Sequence, residues 1–246
     1  SFHVTGVQTC ALPISLATKV GDDAFGDYAR TRLSEWGVVT DFIGCQPHSQ
    51  TPLALAALTP PETPTVIFYR GPSAPDTTLT ASDVPADVVR DARILWISQA
   101  SLAQGSTADT CLAWMGLRSR DQHTILDLDY RPSLWASRDA ARAMAARAIE
   151  LATVVVGNRE ECDVAVGTSD PEAAAAALLA AGARLAIIKL GADGALLATA
   201  SERISISAIP IDLVCGLGAG DAFGGALRSE EHMSELQSRE TISYAV

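Results

Sequence analysis

The chain has 246 residues, 48% of them hydrophobic, which is enough for one substantial core or a core with a small subdomain. Its formal net charge of −11 argues against a nucleic-acid-binding surface, because phosphate backbones select basic faces. The sequence shows no apolar run long enough to span a membrane, and its five cysteines form no C-x-x-C pair. We therefore expect a cytoplasmic protein with free thiols that binds neither membrane nor nucleic acid.

The first part of the chain predicts one helix and a small antiparallel pair of strands. The helix is expected over residues 23–36 and ends before Gly37. Two strand-like runs follow, at residues 51–58 and 65–70, on either side of a proline-rich turn. Strands joined in this way favour an antiparallel pair outside the main sheet, which we interpret as a lid over residues about 40–70.

From residue 92 onwards the pattern changes to strands that alternate with helices. The predicted strands are 93–98, 123–129, 153–156, 185–189 and 195–198, and the predicted helices lie near 106–119, near 138–151, from Asn158 and over 171–182. This alternation predicts an α/β fold with a mostly parallel sheet that helices cover on both faces. In such sheets ligands bind beyond the carboxyl ends of the strands.

The most informative segment is the glycine-rich run GLGAGDAFGG at residues 216–225. A turn of this kind points the amides around Gly218, Ala219 and Gly220 at one spot at the start of a helix, where negative charge is favoured. Asp221, beside that anion hole, can take a proton from a hydroxyl while the hole holds a phosphoryl group. The spacing fits neither a dinucleotide fingerprint nor a Walker A loop. The alternative is a plain glycine turn with an acidic residue in the first helical turn.

Two further segments place polar residues where predicted strands end. Asp127, Asp129 and Arg131 lie where an apolar strand ends, and there they can orient a hydroxyl and bind an anion. The alternative is a local salt bridge before a turn. Asn158 and Glu161 share one helical face and can hold water around a magnesium ion. The same spacing also forms a capping box, and both interpretations can hold at once.

Two weaker signals concern a strand end and a lone arginine. Lys189 ends a strand, and Gly191 and Gly194 follow it in a tight hairpin. This is either only a hairpin or a place where glycines let a nucleotide approach the backbone. Arg70 ends the second lid strand. By default it is a solvated surface arginine; the functional alternative is that it binds a carboxylate.

In chain order, these segments together resemble the ribokinase-like (PfkB) carbohydrate kinases, over most of residues 16–227. The GAGDAF stretch is the most specific signature of that family, and the lid strands, D-x-D-Y-R-P, N-x-x-E and K-x-G-x-x-G precede it in the expected order. Within the family, the segments around residues 127–135, 157–162 and 215–221 look most like 5-dehydro-2-deoxygluconokinases. The 2-keto-3-deoxygluconate kinases are close behind.

The resemblance implies a kinase that uses ATP and Mg²⁺ to phosphorylate a primary hydroxyl of a sugar acid. It implies Asp221 as the general base, the anion hole at Gly218, Ala219 and Gly220, a nucleotide site at Lys189, Gly191, Gly194 and Asn158, magnesium held through water by Asn158 and Glu161, and a substrate site at Arg70, Asp129 and Arg131. A homo-oligomer formed through the lid is a further expectation. The alternatives are another sugar or nucleoside kinase of the family, and a nucleotide- or sugar-binding regulator that kept the fold.

The sequence departs from the family pattern in three places. Cys215 stands where relatives usually carry Asp or Asn. The family's opening strand, its early Gly-Gly substrate loop and its last helices have no counterpart. The strings at residues 1–15 and 228–246 differ in composition from the rest and resemble translated sequencing adaptors. We therefore expect a kinase domain at 16–227 with two non-native tails; an acidic terminal helix is the alternative for the second string.

Overall fold

The computed structural model describes residues 14–59, 65–71, 73–211 and 215–232, with side chains up to residue 227. Within these ranges the strands are β1 (Ile14–Ser15), β2 (Thr18–Gly21), β3 (Val38–Val39), β4 (Ile43–Gln46), β5 (Leu53–Ala57), β6 (Thr65–Tyr69), β7 (Ile94–Ser98), β8 (His123–Asp127), β9 (Val154–Asn158), β10 (Leu185–Lys189), β11 (Ala195–Ala198) and β12 (Arg203–Ile206). The α-helices are α1 (Ala24–Glu35), α2 (Ala86–Asp91), α3 (Gly105–Gly116), α4 (Arg138–Leu151), α5 (Arg159–Val166), α6 (Pro171–Ala180) and α7 (Ala219–His232).

A six-stranded sheet lies at the centre of the described chain, in the order β12-β11-β10-β9-β8-β7. The four strands from β7 to β10 are parallel, and β11 and β12 add to one edge as antiparallel strands. A helical connection precedes each new parallel strand: α3 before β8, α4 before β9, and α5 with α6 before β10. The predicted α/β fold with a mostly parallel sheet is confirmed.

The predicted elements agree with the structure to within a few residues, but several short elements were not predicted. Helix α1 ends just before Gly37, whose φ of +79° suits a glycine at a helix end. The sequence did not predict the short helix α2, the strand β12, or the parallel pairs β1–β3 and β2–β4. All of these are short elements, and short elements carry few periods of any hydrophobic pattern.

The side chains of the sheet alternate between two apolar layers. Ile188 packs in the larger layer, together with buried residues of α3, α4, α5 and α6. Its neighbour Ile187 points to the opposite face and packs in a smaller layer with Phe223 of α7. Since successive strand residues face opposite sides, one apolar run supplies both layers. Helix α7 is therefore attached to the face of the sheet opposite to α4–α6.

The predicted lid is a separate two-stranded antiparallel sheet of β5 and β6. It is narrower than residues 40–70, because β4 pairs with β2 instead. Leu55 opposes Ile67 and Leu53 opposes Tyr69 on one face, and Ile67 and Tyr69 are 53% and 62% exposed. Phe68 points to the other face. A pair of strands with apolar side chains on both faces is marginal on its own and favours further burial.

Two arginines bind backbone carbonyls at the amino end of the parallel strands. The buried guanidinium of Arg118 donates to the carbonyls of Val89 and Ala92, at 2.7 and 2.8 Å, where α2 ends. Arg120 donates to the carbonyl of Ala152 (2.8 Å) just after α4. Helix carboxyl ends leave carbonyls without intrahelical partners, and cations there are favourable.

The strings predicted as tails are described only in part. Residues 1–13 and 233–246 lie outside the described residues. Helix α7 extends from Ala219 to His232, so the helix continues through the first five residues of the second string. Among the described residues, no helix combines the length and the hydropathy needed to cross a membrane.

Candidate active site

Each of the four parallel strands ends on a polar residue. These residues are Ser98 of β7, Asp127 of β8, Asn158 of β9 and Lys189 of β10. In the register of the sheet, Ser98 is opposite Asp127 and Asn158 is opposite Lys189. Parallel strands bring their carboxyl ends to one edge, so four apolar strands place these polar groups side by side.

The ammonium group of Lys189 lies between two carboxylates. Its Nζ is 3.5 Å from Oδ1 of Asp127 and 3.6 Å from Oε2 of Glu161. The three side chains are only 18%, 14% and 12% exposed, respectively. Buried charges are stable only when they are paired, so this trio holds its members in place.

The carboxyl group of Asp127 has a shifted acidity. Burial is the largest cause and raises its pKa from 3.8 to about 6. The neighbouring ammonium of Lys189 opposes this rise, whereas the charges of Glu161 and Asp129 add to it. Near neutral pH this carboxyl is therefore mostly ionised, and it becomes protonated in mildly acidic solution.

Asn158 and Glu161 form the capping box that their spacing predicts. The Oδ1 of Asn158 accepts from the amide of Glu161 at 2.9 Å, and Oε2 of Glu161 accepts from the amide of Asn158 at 2.7 Å. This reciprocal pair starts α5 directly after β9. It also fixes the Glu161 carboxylate beside Lys189.

The glycine-rich segment forms the amino end of α7. Gly218 has a φ of +83°, which an L-residue with a side chain rarely adopts, and Ala219 is the first helical residue. A Cβ atom on Gly220 would lie 3.7 Å from Nζ of Lys189. Asp221 is exposed in the first turn. The first amides of a helix lack intrahelical partners, so this end of α7 and the lysine ammonium together favour an anion.

Phe223 and Gly224, which come shortly after Asp221, attach α7 to the sheet. Phe223 is 6% exposed and packs among Ile125, Val156 and other residues on the smaller apolar face. A Cβ on Gly224 would lie 2.9 Å from the ring of Trp96, so only glycine fits this contact without displacement. The residues Ala-Phe-Gly that follow Asp221 therefore determine where the amino end of α7 lies.

In the hairpin after Lys189, packing explains why one of the two glycines, Gly194, has no side chain. A Cβ on Gly194 would lie 1.8 Å from the carbonyl oxygen of Ile206 in β12. Gly191, with a φ of +63°, faces open space. Packing against β12 thus explains why no side chain fits at Gly194, and the approach of a nucleotide to Gly191 and Gly194 stays a prediction.

Arg70 is not a solvated arginine; that interpretation is wrong. Its side chain is 12% exposed, and Nε and Nη2 donate to Oδ2 of Asp76 at 2.9 and 2.6 Å. Nη1 lies 3.5 Å from Oε1 of Gln104. These groups border a cavity of about 480 Å³, which is lined by Phe68, Arg70, Gly71, Gln104, Gly105, Ser133 and Leu134.

Asp129 and Arg131 form the local salt bridge that was the alternative for this segment. Nη2 of Arg131 lies 2.6 Å from Oδ1 of Asp129, and the hydroxyl of Ser98 donates to Oδ2 of Asp129 at 3.2 Å. Arg131 remains 47% exposed. The segment leads from Asp127 in the trio to Ser133 in the cavity wall, and so connects the two polar regions.

Cys215 lies just before the amino end of α7. Its sulfur accepts a hydrogen bond from the amide of Leu217 at 3.4 Å. A thiol sulfur is a weak hydrogen-bond acceptor, so this contact restrains the loop less than an oxygen acceptor would.

The model of the pfkB family of carbohydrate kinases matches residues 4–231. The chain belongs to this family. It is similar to the 5-dehydro-2-deoxygluconokinase of Shouchella clausii, with 29% identity over 227 residues that cover 90% of this chain and 69% of the relative. It is a sugar kinase, an enzyme that transfers a phosphoryl group to an alcohol.

Solved structures show the same fold. A protein of E. coli named as a ribokinase II, solved with ATP and Mg²⁺, has a TM-score of 0.83 at 24% identity and covers 96% of this chain and 75% of its own. A fructokinase of Vibrio cholerae, solved with fructose, ADP and calcium, has a TM-score of 0.80 at 24% identity, with 95% and 75% covered. These likenesses support the ribokinase-like fold.

The residues of this kinase fit a nucleotide phosphate and a hydrated magnesium ion. The ammonium of Lys189 and the amide end of α7 attract anions from neighbouring positions. The buried Oδ1 of Asp127 accepts no hydrogen bond from the described residues. The capping box occupies Oδ1 of Asn158 and Oε2 of Glu161, which leaves Oε1 of Glu161 for water on magnesium. The described residues contain no group of three or more acidic, histidine or cysteine side chains for direct coordination.

The sequence did not predict three features of this site: the pairing of Asp127 with Lys189, the role of Gln104 and the attachment of α7. Asp127 was grouped with Asp129, yet only Asp127 faces Lys189. Its signal is its position as the last strand residue, which Asn158 and Lys189 share. Gln104 lies in a loop without a recognisable pattern. The attachment of α7 through Phe223 could have been inferred from the apolar residue two positions after the aspartate.

The raised pKa of Asp127 predicts an unusual pH dependence of stability. A carboxyl whose pKa is higher in the folded state binds more protons there, so its contribution decreases as pH rises from about 4 to 6. We expect the free energy of unfolding of the wild type, minus that of Asp127→Asn, to fall by ~2–3 kcal/mol between pH 4 and 7. Chemical denaturation at several pH values measures this difference. Asp87→Asn, on the exposed side of α2, is the control, and a difference that rises with pH would contradict the assignment.

Proposed function

We propose that this kinase phosphorylates a primary hydroxyl of a sugar acid, 5-dehydro-2-deoxygluconate, with ATP and Mg²⁺. The observation that carries the proposal is the cavity bordered by Arg70, which adjoins the segment leading from Asp127 to Ser133. The 29% identity to a 5-dehydro-2-deoxygluconokinase supports the same substrate. The alternative within the same class is 2-keto-3-deoxygluconate, which carries the same carboxylate group.

Asp221 is our candidate for the general base. It follows Gly220 in the first turn of α7, where the free helix amides favour a phosphoryl group beside it. ATP supplies the phosphoryl group when bound, and Mg²⁺ neutralises its charge. We propose that Gly218, Ala219 and Gly220 form the anion hole and that Asp221 accepts the proton of the sugar hydroxyl. Lys189 would face the nucleotide phosphates.

A carboxylate can be recognised at the cavity although Arg70 is already paired. Asp76 occupies Nε and Nη2, whereas Nη1 is directed towards Gln104 with a long contact of 3.5 Å. Arg131 is 47% exposed, and among the described residues Asp129 is its ion-pair partner, through Nη2. Guanidinium groups bind carboxylates with two parallel hydrogen bonds where such donors are free. We propose that Nη1 of Arg70 and the guanidinium of Arg131 bind the acid group, with Asp129 orienting Arg131.

The assignment of the base is tested by Asp221→Asn. The amide keeps the size and polarity of the side chain but cannot take the proton, so kcat should fall ~10²–10⁴-fold while nucleotide affinity changes little. Steady-state kinetics and nucleotide titration measure the two effects. Asp87→Asn, also an aspartate in the first turn of a helix, serves as the control. Near-normal kcat in Asp221→Asn would exclude Asp221 as the base.

The assignment of the acid group is tested by Arg70→Ala. Loss of one partner of a partly buried ion pair should lower kcat/KM for the sugar acid roughly 10–100-fold, mostly through KM. Turnover of a neutral ketose such as fructose should change much less, because it has no carboxylate. Arg90→Ala, on the exposed side of α2, is the control. Equal losses on acid and neutral substrates would show a structural role for Arg70 instead.

The lid provides a surface for a second copy of the chain. Leu55, Ile67 and Tyr69 lie exposed on the face of the β5–β6 sheet that points away from Phe68 and the cavity. We propose that two lids pack through this face, because a second apolar sheet offers the complementary surface. Ile67→Asp should convert a dimer into a monomer in sedimentation analysis, whereas Val88→Asp on α2 should not. A wild-type monomer at every concentration tested would refute the proposal.

A further inference from the structure

The ammonium of Lys189 is held between two acidic partners that differ in what else they bind. The carboxylate of Glu161 is held independently of Lys189, because its Oε2 also accepts a hydrogen bond from the amide of Asn158 at 2.7 Å. Asp127 has no such second bond: its buried Oδ1 accepts no hydrogen bond from the described residues and faces Nζ of Lys189 at 3.5 Å. Glu161 therefore serves the helix cap as well as the lysine, whereas Asp127 is left to serve the lysine.

The backbone of Asp127 is fixed independently of the lysine. It is the last residue of β8 and lies between Ser98 of β7 and Val156 of β9 in the ladder. Lys189 ends β10, one strand further along the sheet, and its long side chain reaches back across β9. A lysine side chain has four rotatable carbons and much conformational freedom, so its head group needs an external partner to occupy one position.

The ammonium group of Lys189 lies beside the start of α7. A Cβ on Gly220 would come within 3.7 Å of Nζ, so the ammonium lies directly beside the helical turn that carries Asp221. The two carboxylates lie at 3.5 and 3.6 Å from the same Nζ. One ammonium group thus links the acidic partners at the sheet edge to the anion-binding end of the helix.

We propose that Asp127 is a positioning residue for phosphoryl transfer, whose carboxylate holds the ammonium of Lys189 against the amino end of α7. The inference rests on the proposed function only in placing the transferred phosphoryl group at that end of the helix. A charge fixed in advance where negative charge develops stabilises a transition state without a cost of reorganisation. Without Asp127, Glu161 alone draws the ammonium towards α5, and the lysine loses its fixed position.

The kinetic test combines two substitutions. Asp127→Asn keeps the shape of the side chain and removes its charge, and kcat should fall on the order of 10-fold or more with little change in the KM of the sugar. In a Lys189→Met background the same substitution should have almost no further effect, because the group it positions is gone. Asp127→Glu should restore part of the rate. Asp87→Asn, an exposed aspartate in the first turn of α2, is the control that leaves kcat unchanged.

A spectroscopic test follows the lysine itself. Lys19 and Lys189 are the two lysines of the chain, so lysine labelled with ¹³C at Cε gives two signals, and Lys189→Met assigns them. Asp127→Asn should shift and broaden the Lys189 signal and leave that of Lys19 unchanged, since Lys19 is paired with Asp83 at 2.9 Å elsewhere in the fold. Circular dichroism confirms that each variant is folded.

Several results would overturn the inference. They are an unchanged kcat in Asp127→Asn, losses that simply multiply in the double variant, and a Lys189 signal that Asp127→Asn does not move. A several-fold rise in the Mg²⁺ concentration that gives half-maximal rate, with the lysine signal unchanged, would make Asp127 a metal-binding residue instead. Failure of the sugar-acid proposal is a separate result, because the kinetic test uses whichever sugar the wild type phosphorylates. If no sugar is turned over, the lysine signal decides.

Discussion

The arrangement of the site depends on one requirement: charges buried at the carboxyl edge of the sheet must be neutralised there. Strands β8 and β10 deliver Asp127 and Lys189 to that edge with most of their surface removed from water. Glu161 completes the trio because a capping box starts α5 immediately after β9. Unpaired charges in such surroundings would cost several kcal/mol each. Pairing therefore decides where the lysine lies and which groups a ligand can meet.

The position of the site also depends on how α7 is attached to the sheet. Phe223 packs into the smaller apolar layer, and Gly224 lets the helix approach Trp96 closely. These contacts bring Gly220 next to the ammonium of Lys189 from the face of the sheet opposite to α5. The anion-binding groups thus come from two elements that are far apart in the sequence. Each element is anchored by its own apolar contacts before any ligand binds, which is how preorganised sites are built.

Much of the fold could be predicted because it repeats a simple pattern. Apolar runs of about five residues alternate with helical stretches, and a capping box and a glycine hairpin mark two of the boundaries. What could not be predicted depends on side-chain partners that are distant in space. Asp127 and Asp129 look equivalent in the sequence, and only the register with β9 and β10 shows that Asp127 meets the lysine. Arg70 looked free because its pairing with Asp76 depends on the path of an irregular loop.

The two ends of the parallel sheet are held by different kinds of charge pairing. At the amino end, Arg118 and Arg120 bind carbonyl oxygens, which do not titrate. At the carboxyl end, Asp127 and Glu161 hold Lys189 through ionic contacts, and Asp127 gains a proton in mild acid because burial raises its pKa to about 6. Mild acidification should therefore remove the carboxylate charge that faces Lys189 and leave the arginine–carbonyl contacts at the other end unchanged. Because the folded chain binds this proton more readily than the unfolded chain does, protonation of Asp127 does not lower the free energy of unfolding. The chain thus has a structural polarity in which the edge that holds the reactive groups responds to pH, while the opposite edge keeps the strands together.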